Sequence, residues 1–235
     1  MIRIQGLHKS FGKHEVLKGL DIELIKGSTT AILGPNGSGK TTLIKGILGM
    51  VIPTSGGVHV NGTAVKKDWR YREDIGYMPQ IANFPANLRV KELIRMIDDL
   101  RSVEAKHDPL IELFDLTPML DKKLGELSGG TCQKVNAVVA LMFDSPIIIL
   151  DEPTTGLDPV ALIKLKDLLK QYKQEGRTIL ITTHIMSFVE EMADNVVFIL
   201  EGEVYFHGPL KELLAQQGEE QLDRTIARIM NKENA

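Results

Sequence analysis

One stretch of the sequence, residues 29–42, leaves few choices for the fold. TTAIL at 29–33 is apolar and β-branched in character, and it runs directly into GPNGSGKTT at 34–42. The following segment, TTLIKGILG, has the apolar spacing of a helix. A strand, a glycine-rich turn and a helix in this order place the turn at the carboxyl edge of a sheet. The pattern predicts a parallel α/β sheet with an anion site where the strand ends.

The glycine-rich turn matches the pattern G-x-x-x-x-G-K-[ST], whose backbone N–H groups cradle phosphates. Lys40 would supply a charge to the β- and γ-phosphates, and the hydroxyl of Thr41 suits Mg²⁺. The strand before the turn and the helix after it argue against a plain glycine turn. We expect a nucleoside triphosphate with Mg²⁺ to be held by Gly34, Asn36, Gly37, Ser38, Gly39, Lys40, Thr41 and Thr42.

A second strong signal is IIILDEP at 147–153, where an apolar strand ends in two acids. Ligands of open α/β sheets bind at this edge, and carboxylates inside a protein are costly unless they are paired or bind a metal. Asp151 is therefore predicted to hold Mg²⁺ through water. Glu152 is predicted to orient and deprotonate an attacking water. The alternative is a solvated strand end whose two acids have no catalytic role.

Three further residues have two interpretations each. His184 ends the strand TILITTH and is either a hydrogen-bond donor to a γ-phosphate oxygen or an ordinary surface histidine. Gln80 follows the strand IGYMP and is either a hinge residue or a ligand that reaches the metal. Phe11 is either a stacking platform for adenine or an N-terminal core residue. The other histidines are assigned to the surface or to turns: His8, His14, His59, His107 and His207.

Strands and helices alternate regularly from residue 147 onward, which predicts a parallel sheet with crossover helices. Residues 16–33 read as short strands separated by glycine turns, and LRVKELIRMIDDLR and PLIELFDL read as helices. The predicted fold class is α/β: a P-loop NTPase parallel sheet core, an N-terminal antiparallel β subdomain and an inserted helical subdomain at about 87–143. Residues 1–208 would form this domain. Residues 209–235 would form a charged helical tail that packs at the edge or frays.

Composition excludes several classes of protein. The net charge of -3 gives no electrostatic footprint for nucleic acid. No run approaches the roughly 18 apolar residues of a membrane helix, and no secretory signal is visible at the start. The single cysteine, Cys132, excludes an intramolecular disulfide and suits a reducing compartment. We expect a soluble intracellular protein that does not bind nucleic acid and whose membrane-spanning partner would be another chain.

LSGGTCQKV at 127–135 is a second glycine-rich turn before an apolar helix, and its N–H groups should also face an anion. Together with the first turn and the acids, it makes the chain resemble the nucleotide-binding subunits of ATP-binding-cassette (ABC) transporters. The resemblance covers about residues 1–208. It rests on GPNGSGKTT at 34–42, YMPQ ending at Gln80, LSGG at 127–130, ILDEP at 149–153, GLD at 156–158 and TTH ending at His184.

The resemblance implies a use for the second turn. In this family LSGG of one subunit caps the ATP held by the phosphate loop of the other, so Ser128, Gly129 and Gly130 would reach across a two-fold interface. Asp158 would lie at the same interface. ATP and Mg²⁺ are the implied cofactors, and the implied partners are a second copy of the chain and a separate permease. The protein would then sit in the cytoplasm, on the inner face of the membrane.

The sequence departs from the family at Thr131, where Gln is common, and Cys132 follows it as an expected packing residue. Ser128 and both glycines are kept, so ATP capping should survive. Finer similarity in 127–141 and 183–210 points to the ATPase of the copper-site assembly transporter for nitrous oxide reductase, which also has a periplasmic partner. The alternatives are a drug- or sodium-exporter ATPase, a soluble ABC ATPase and a P-loop kinase.

Overall fold

The structure is a computed structural model that describes residues 1–66, 68–101, 103–219 and 221–233. Within these residues ten strands form two sheets. The strands are β1 (Ile2–Phe11), β2 (His14–Leu24), β3 (Thr29–Leu33), β4 (Ser55–Val60), β5 (Thr63–Ala64), β6 (Ile75–Met78), β7 (Ile147–Asp151), β8 (Thr178–Thr182), β9 (Asn195–Leu200) and β10 (Glu203–Pro209). The helices are α1 (Lys40–Ile47), α2 (Val90–Asp98), α3 (His107–Leu113), α4 (Gly129–Leu141), α5 (Pro159–Gln174), α6 (Met186–Met192), α7 (Leu210–Gln217) and α8 (Leu222–Glu233).

The six-stranded sheet has the order β10-β9-β3-β8-β7-β6. All its pairs are parallel except β10 with β9. Its strand β7 is buried on both faces, because Ile148 and Leu150 pack in one core cluster and Ile147 and Ile149 pack in another. Such strands read as continuous apolar runs, which is the pattern IIIL showed. The predicted parallel sheet with crossover helices is confirmed.

The four-stranded sheet is antiparallel, with the order β2-β1-β4-β5. The prediction of a glycine turn within residues 16–24 is wrong, because β2 continues without interruption through Gly19. Gly19 has φ +77 and lies where the pairing register with β1 shifts, so it is the extra residue of a bulge. A glycine with a positive φ bends a strand here and does not end it.

Helices α2, α3 and α4 lie between β6 and β7 in the chain, as the periodicity predicted. They share a core with the main sheet: Leu93 and Phe114 pack in the same cluster as Val138 and Leu150. The division into an inserted subdomain at about 87–143 stays a prediction. Across the described residues, no helix combines the length and the apolar character that a membrane crossing demands.

The C-terminal tail packs against the sheet edge and does not fray in α7. Leu213 of α7 and Leu222 and Ile229 of α8 are fully buried, in a cluster with Phe198 of β9. The side chain of Glu190 on α6 also accepts a hydrogen bond from the backbone N–H of Leu222, at 2.6 Å. The tail therefore belongs to the folded core of the chain.

We predict that Leu213→Ala lowers the free energy of unfolding by about 2–4 kcal/mol, because it removes a buried side chain and leaves a cavity. Leu100→Ala is the matched control, since Leu100 at the end of α2 is 75% exposed and should cost less than about 0.5 kcal/mol. Chemical denaturation of the two variants measures the difference. Equal effects would mean that the tail is not part of the cooperative unit.

Candidate functional site

The phosphate loop joins β3 to α1 through two glycines whose backbone conformations disfavour any other residue. Gly34 has φ +147, and a Cβ at this position would lie 2.1 Å from the carbonyl oxygen of Ile199. Gly39 has φ +106 and precedes α1 at its N-terminus, where a Cβ would lie 2.6 Å from Leu17. Both positions combine a left-handed backbone with a close neighbour. Because these two positions carry no side chain, an anion can approach the backbone of the loop and the N-terminus of α1, which attracts anions.

Lys40 is the first residue of α1, and its Nζ donates to the backbone carbonyls of Gly34 at 2.7 Å and Pro35 at 2.9 Å. Burial lowers the pKa of Lys40, while Glu152 and Asp151 act in the opposite direction. The hydroxyl of Ser38 is buried and has no hydrogen-bond partner among the described residues. A half-buried cation and an unpaired buried hydroxyl in one loop are features that a bound phosphate would satisfy.

Asp151 is the last residue of β7 and is buried. Its carboxylate accepts a hydrogen bond from Thr182 of β8, at 2.5 Å. Burial raises the pKa of Asp151, and the hydrogen bond from Thr182 opposes that shift. Burial together with Asp151 also raises the pKa of the neighbouring Tyr77 to about 12. An acid held at a sheet edge with its other oxygen available suits a metal ligand.

Glu152 follows β7 in a left-handed conformation, with φ +51. Its backbone N–H donates to the carbonyl of Thr182 at 2.9 Å, which holds this uncommon geometry in place. The side chain of Glu152 is 12% exposed, and its Oε2 lies 2.8 Å from Nδ1 of His184, a ring that is 75% exposed. The structure therefore brings the predicted base and the predicted histidine into direct contact with each other.

A cavity of about 340 Å³ joins these groups. Nine of the predicted site residues line it: Asn36, Gly37, Gly39, Lys40, Thr41, Thr42, Gln80, Asp151 and Glu152. Two residues of β2 that were not predicted also line it, His14 and Val16. The surface assignment of His14 missed this position because nothing in the local sequence says that β2 passes over the phosphate loop. The contact is long-range: a Cβ on Gly39 would lie 3.1 Å from the carbonyl of Val16.

Phe11 is 52% exposed, so the prediction of a core phenylalanine is wrong. The reason is its place at the end of β1, next to the turn that leads into β2, where its side chain stays open to solvent. Phe11 does not line the cavity, and the ammonium of Lys9 lies 4.7 Å from its ring centroid. An exposed ring of this kind can stack on a base, so the adenine platform stays a prediction.

The second glycine turn lies outside the cavity. Ser128 is the N-cap of α4: its Oγ accepts from the backbone N–H of Thr131 and lies 2.8 Å from the Thr131 hydroxyl. The helix begins at Gly129, directly after Ser128. A Cβ on Gly130 would lie 2.9 Å from the carbonyl oxygen of Gly156, whereas a Cβ on Gly129 would meet nothing within 4 Å. Gly130 thus permits close packing of the GLD segment.

Asp158, the last residue of that GLD segment, is also outside the cavity. Its side chain caps α5 by accepting from the backbone N–H of Ala161 at 2.9 Å, and it forms an ion pair with Lys134 of α4 at 2.7 Å. The hydrogen bond with Lys134 and the one from Ala161 lower the pKa of Asp158. Within one chain, Asp158 therefore joins the start of α5 to the middle of α4 rather than contacting the phosphate loop.

Comparison with known proteins agrees with this geometry. The family described as ABC transporter matches residues 17–155, which is more than half of the chain. The chain belongs to the ABC transporter family. This membership rules out the P-loop kinase alternative. The two glycine-rich turns, residues 34–42 and 127–130, are called the phosphate loop and the signature turn below.

Relatives and solved structures match almost the whole cassette. The lantibiotic transport ATP-binding protein SrtF of Streptococcus pyogenes is 33% identical over 207 residues, covering 87% of this chain and 89% of that protein. The Nod factor export ATP-binding protein I of Burkholderia lata is 35% identical over 222 residues, covering 92% and 73%. A solved ATP-binding subunit of an ABC transporter has a TM-score of 0.93 at 28% identity, over 98% of this chain and 99% of that one.

A solved dimer of the bacterial ABC transporter cassette MJ0796 has a TM-score of 0.80 at 25% identity, over 89% of this chain and 99% of that one. The same cassette is also known as a dimer in a post-hydrolysis state with ADP and phosphate. These similarities confirm the predicted fold class, and they confirm that the chain is an ATPase of the ABC type.

We predict that Gly130→Ala and Gly129→Ala affect the isolated chain differently. Alanine favours a helix over glycine by about 1 kcal/mol, so Gly129→Ala should keep or raise the melting temperature. Gly130→Ala must displace the carbonyl of Gly156, and its melting temperature should be lower than that of Gly129→Ala by about 3 °C or more. Thermal unfolding measures both. Equal melting temperatures would show that the GLD segment does not need this glycine.

Proposed function

We propose that two copies of this cassette close around two ATP molecules, hydrolyse them and drive a separate membrane-spanning permease. The observation that carries the proposal is the separation of the two glycine turns. The phosphate loop lines a cavity with Asp151 and Glu152, whereas the signature turn lies outside it and contains two exposed residues, Ser128 and Gly129. A chain that carries half of a site on each of two surfaces needs a second copy to complete it.

ATP would bind through groups of the phosphate loop, the ammonium of Lys40 and the hydroxyl of Ser38, that phosphate oxygens satisfy better than the chain itself does. The ammonium of Lys40 would exchange its two backbone carbonyls for the β- and γ-phosphates, whose charge offsets the cost of burying the cation. The buried hydroxyl of Ser38 would donate to a phosphate oxygen. The N–H groups at the start of α1 would complete the cradle. Phe11 would stack on the adenine.

Glu152 is the proposed general base. Water attacks the γ-phosphorus, the bond to the β–γ bridging oxygen breaks, and the proton of the water passes to the Glu152 carboxylate. A neutral His184 cannot donate to Glu152 and to a phosphate oxygen at the same time, because only one of its ring nitrogens carries a proton. We therefore infer that ATP draws the exposed His184 ring from Glu152 to the γ-phosphate, which frees the carboxylate for water.

The cavity wall offers oxygen donors that fit Mg²⁺: the hydroxyl of Thr41, the side-chain carbonyl of Gln80 and the carboxylate of Asp151. Bound with ATP, the ion would neutralise charge on the β- and γ-phosphates. In the part of the chain that the structure describes, no three or more His, Cys, Asp or Glu form a metal-binding group. Phosphate and water oxygens would therefore supply the remaining ligands.

In the proposed dimer, the signature turn of one copy would cap the γ-phosphate on the phosphate loop of the other. The positive end of α4 and the N–H groups of Gly129 and Gly130 suit that charge. Ser128 would turn its hydroxyl from Thr131 to the phosphate. Capping would therefore proceed with Thr131 at the position where Gln is common. Asp158 would lie at the same interface. The dimer reported for the MJ0796 cassette supports this assembly.

The permease would dock beside Gln80 and the helices α2 and α3, on the cytoplasmic side of the membrane. Ile81, directly after Gln80, is 70% exposed, so an apolar side chain is open to a partner beside a residue that lines the cavity. The two relatives named above carry transport of lantibiotics and export of Nod factors in their names, which favours an exporter.

The assignment to copper-site assembly of nitrous oxide reductase, with its periplasmic accessory protein, stays a prediction that rests on local similarity in 127–141 and 183–210. The names of the two relatives give it no support. Sequencing the neighbouring genes separates these possibilities. A multi-span permease beside a nitrous oxide reductase operon would support the copper role, and a permease beside a drug- or peptide-resistance operon would support export.

We predict that Glu152→Gln lowers ATP turnover by about 10²–10⁴-fold, because the amide keeps the size of the side chain but cannot accept a proton. ATP binding should persist, and a dimer held by unhydrolysed ATP should accumulate and be visible by light scattering. Glu112→Gln, the same change at an exposed position of α3, is the control and should behave as wild type. Continued hydrolysis by a monomeric Glu152→Gln variant would disprove the assignment of the base.

A further inference from the structure

A buried amide on α4 has no part in the site described so far. Asn136 is 2% exposed and lies between Val135, Ala137 and Val138, all fully buried. An amide in such surroundings is costly unless its hydrogen bonds are made. The position is therefore either a defect in the core or a contact that fixes a particular geometry.

The hydrogen bonds of Asn136 lead to the cavity. Its Nδ2 donates to the backbone carbonyl of Pro79 at 2.8 Å and to Oε1 of Gln133 at 2.9 Å. The side chain of Gln133 in turn donates from Nε2 to the backbone carbonyl of Gln80 at 2.7 Å. The two amides thus form a bridge from α4 to the carbonyls of two successive residues, Pro79 and Gln80. Of these two residues, Gln80 lines the nucleotide cavity.

The C-terminal part of α4 packs against β6, the strand that precedes Pro79 and Gln80. A Cβ on Gly76 of β6 would lie 2.5 Å from the carbonyl oxygen of Ala140, so helix and strand approach as closely as glycine allows. The segment from β6 to Gln80 therefore contacts α4 at Ala140 and again at the amide bridge. Gln80 is thus attached, through its own carbonyl and through the strand before it, to one helix at two points.

We infer that Gln133 and Asn136 are positioning residues that set the place of Gln80 in the nucleotide cavity from the helix that begins with the signature turn. The inference rests on the proposed role of Gln80 at the nucleotide. When α4 closes on the ATP of a second copy, the bridge carries Gln80 with it. The position of Gln80 in each cavity then depends on whether the signature turn of the same chain is bound to the ATP of the second copy.

Gln133→Glu is the most specific test, because it changes one atom group and keeps the shape of the side chain. A carboxylate can still accept from Asn136 Nδ2, but it cannot donate to the carbonyl of Gln80 and repels it. We expect kcat for ATP to fall about 3- to 10-fold, the change that one hydrogen bond commonly produces. Binding of a fluorescent ATP analogue in EDTA should stay within twofold of wild type, because Lys40 is untouched.

Gln174→Glu is the matched control, since it makes the same charge change at an exposed position of α5 and should leave kcat unchanged. The melting temperatures of both variants should equal that of wild type within about 2 °C. A loss of kcat in Gln133→Glu without a loss of stability separates positioning from a structural role. Equal kcat values for Gln133→Glu and Gln174→Glu would overturn the inference.

A double-mutant cycle with Gln80→Ala then tests the route of the effect. If Gln133 acts through the Gln80 side chain, Gln133→Glu should cause no further loss of kcat once that side chain is absent. Losses that multiply in the double variant, or a Gln80→Ala variant with full activity, would overturn the inference. Failure of the proposed function is a different result: hydrolysis by the wild-type chain would then be insensitive to Glu152→Gln.

Discussion

The site depends on one pairing arrangement, in which β8 lies between β3 and β7 in parallel register. Thr182, the last residue of β8, pairs with Ile32 on one side and with Asp151 on the other. The same threonine donates its hydroxyl to Asp151 and its carbonyl accepts from the Glu152 backbone. Because the three strands end at one edge, the phosphate loop, the two acids and His184 all follow from this register. A one-residue slip of β8 would turn Thr182 away from the acids.

Much of this arrangement could be predicted from the sequence because its signals are local. Three segments can each be recognised from about ten consecutive residues. They are the strand that enters a glycine-rich turn, the apolar strand that ends in Asp151 and Glu152, and the strand that ends before His184. Parallel pairing then places all three at the carboxyl edge of the sheet. Of the nine predicted residues that line the cavity, eight lie in the first two of these segments and Gln80 follows the strand IGYMP, so none required knowledge of how the N-terminal sheet packs.

The features that could not be predicted depend on contacts between distant parts of the chain. His14 and Val16 reach the cavity only because β2 crosses the phosphate loop, and Gly19 is a bulge only because β2 continues its pairing with β1. Gly130 reads as part of an anion-binding turn, yet its own chain requires it for the approach of Gly156. In each case the residue type can be read from the sequence, whereas the residue that it contacts depends on how distant segments of the chain pack.

In the proposed dimer each cassette supplies half of two sites, and the ATPase activity of a mixture of two inactive variants tests this division. Lys40→Ala disables the phosphate loop and Ser128→Arg disables the signature turn, so each variant alone should hydrolyse almost no ATP. A hybrid dimer holds one intact loop opposite one intact turn. An equal mixture should recover up to about a quarter of wild-type activity, since about half of the dimers are hybrids with one complete site. A mixture no more active than its separate components would show that the signature turn of one cassette does not complete the site of another.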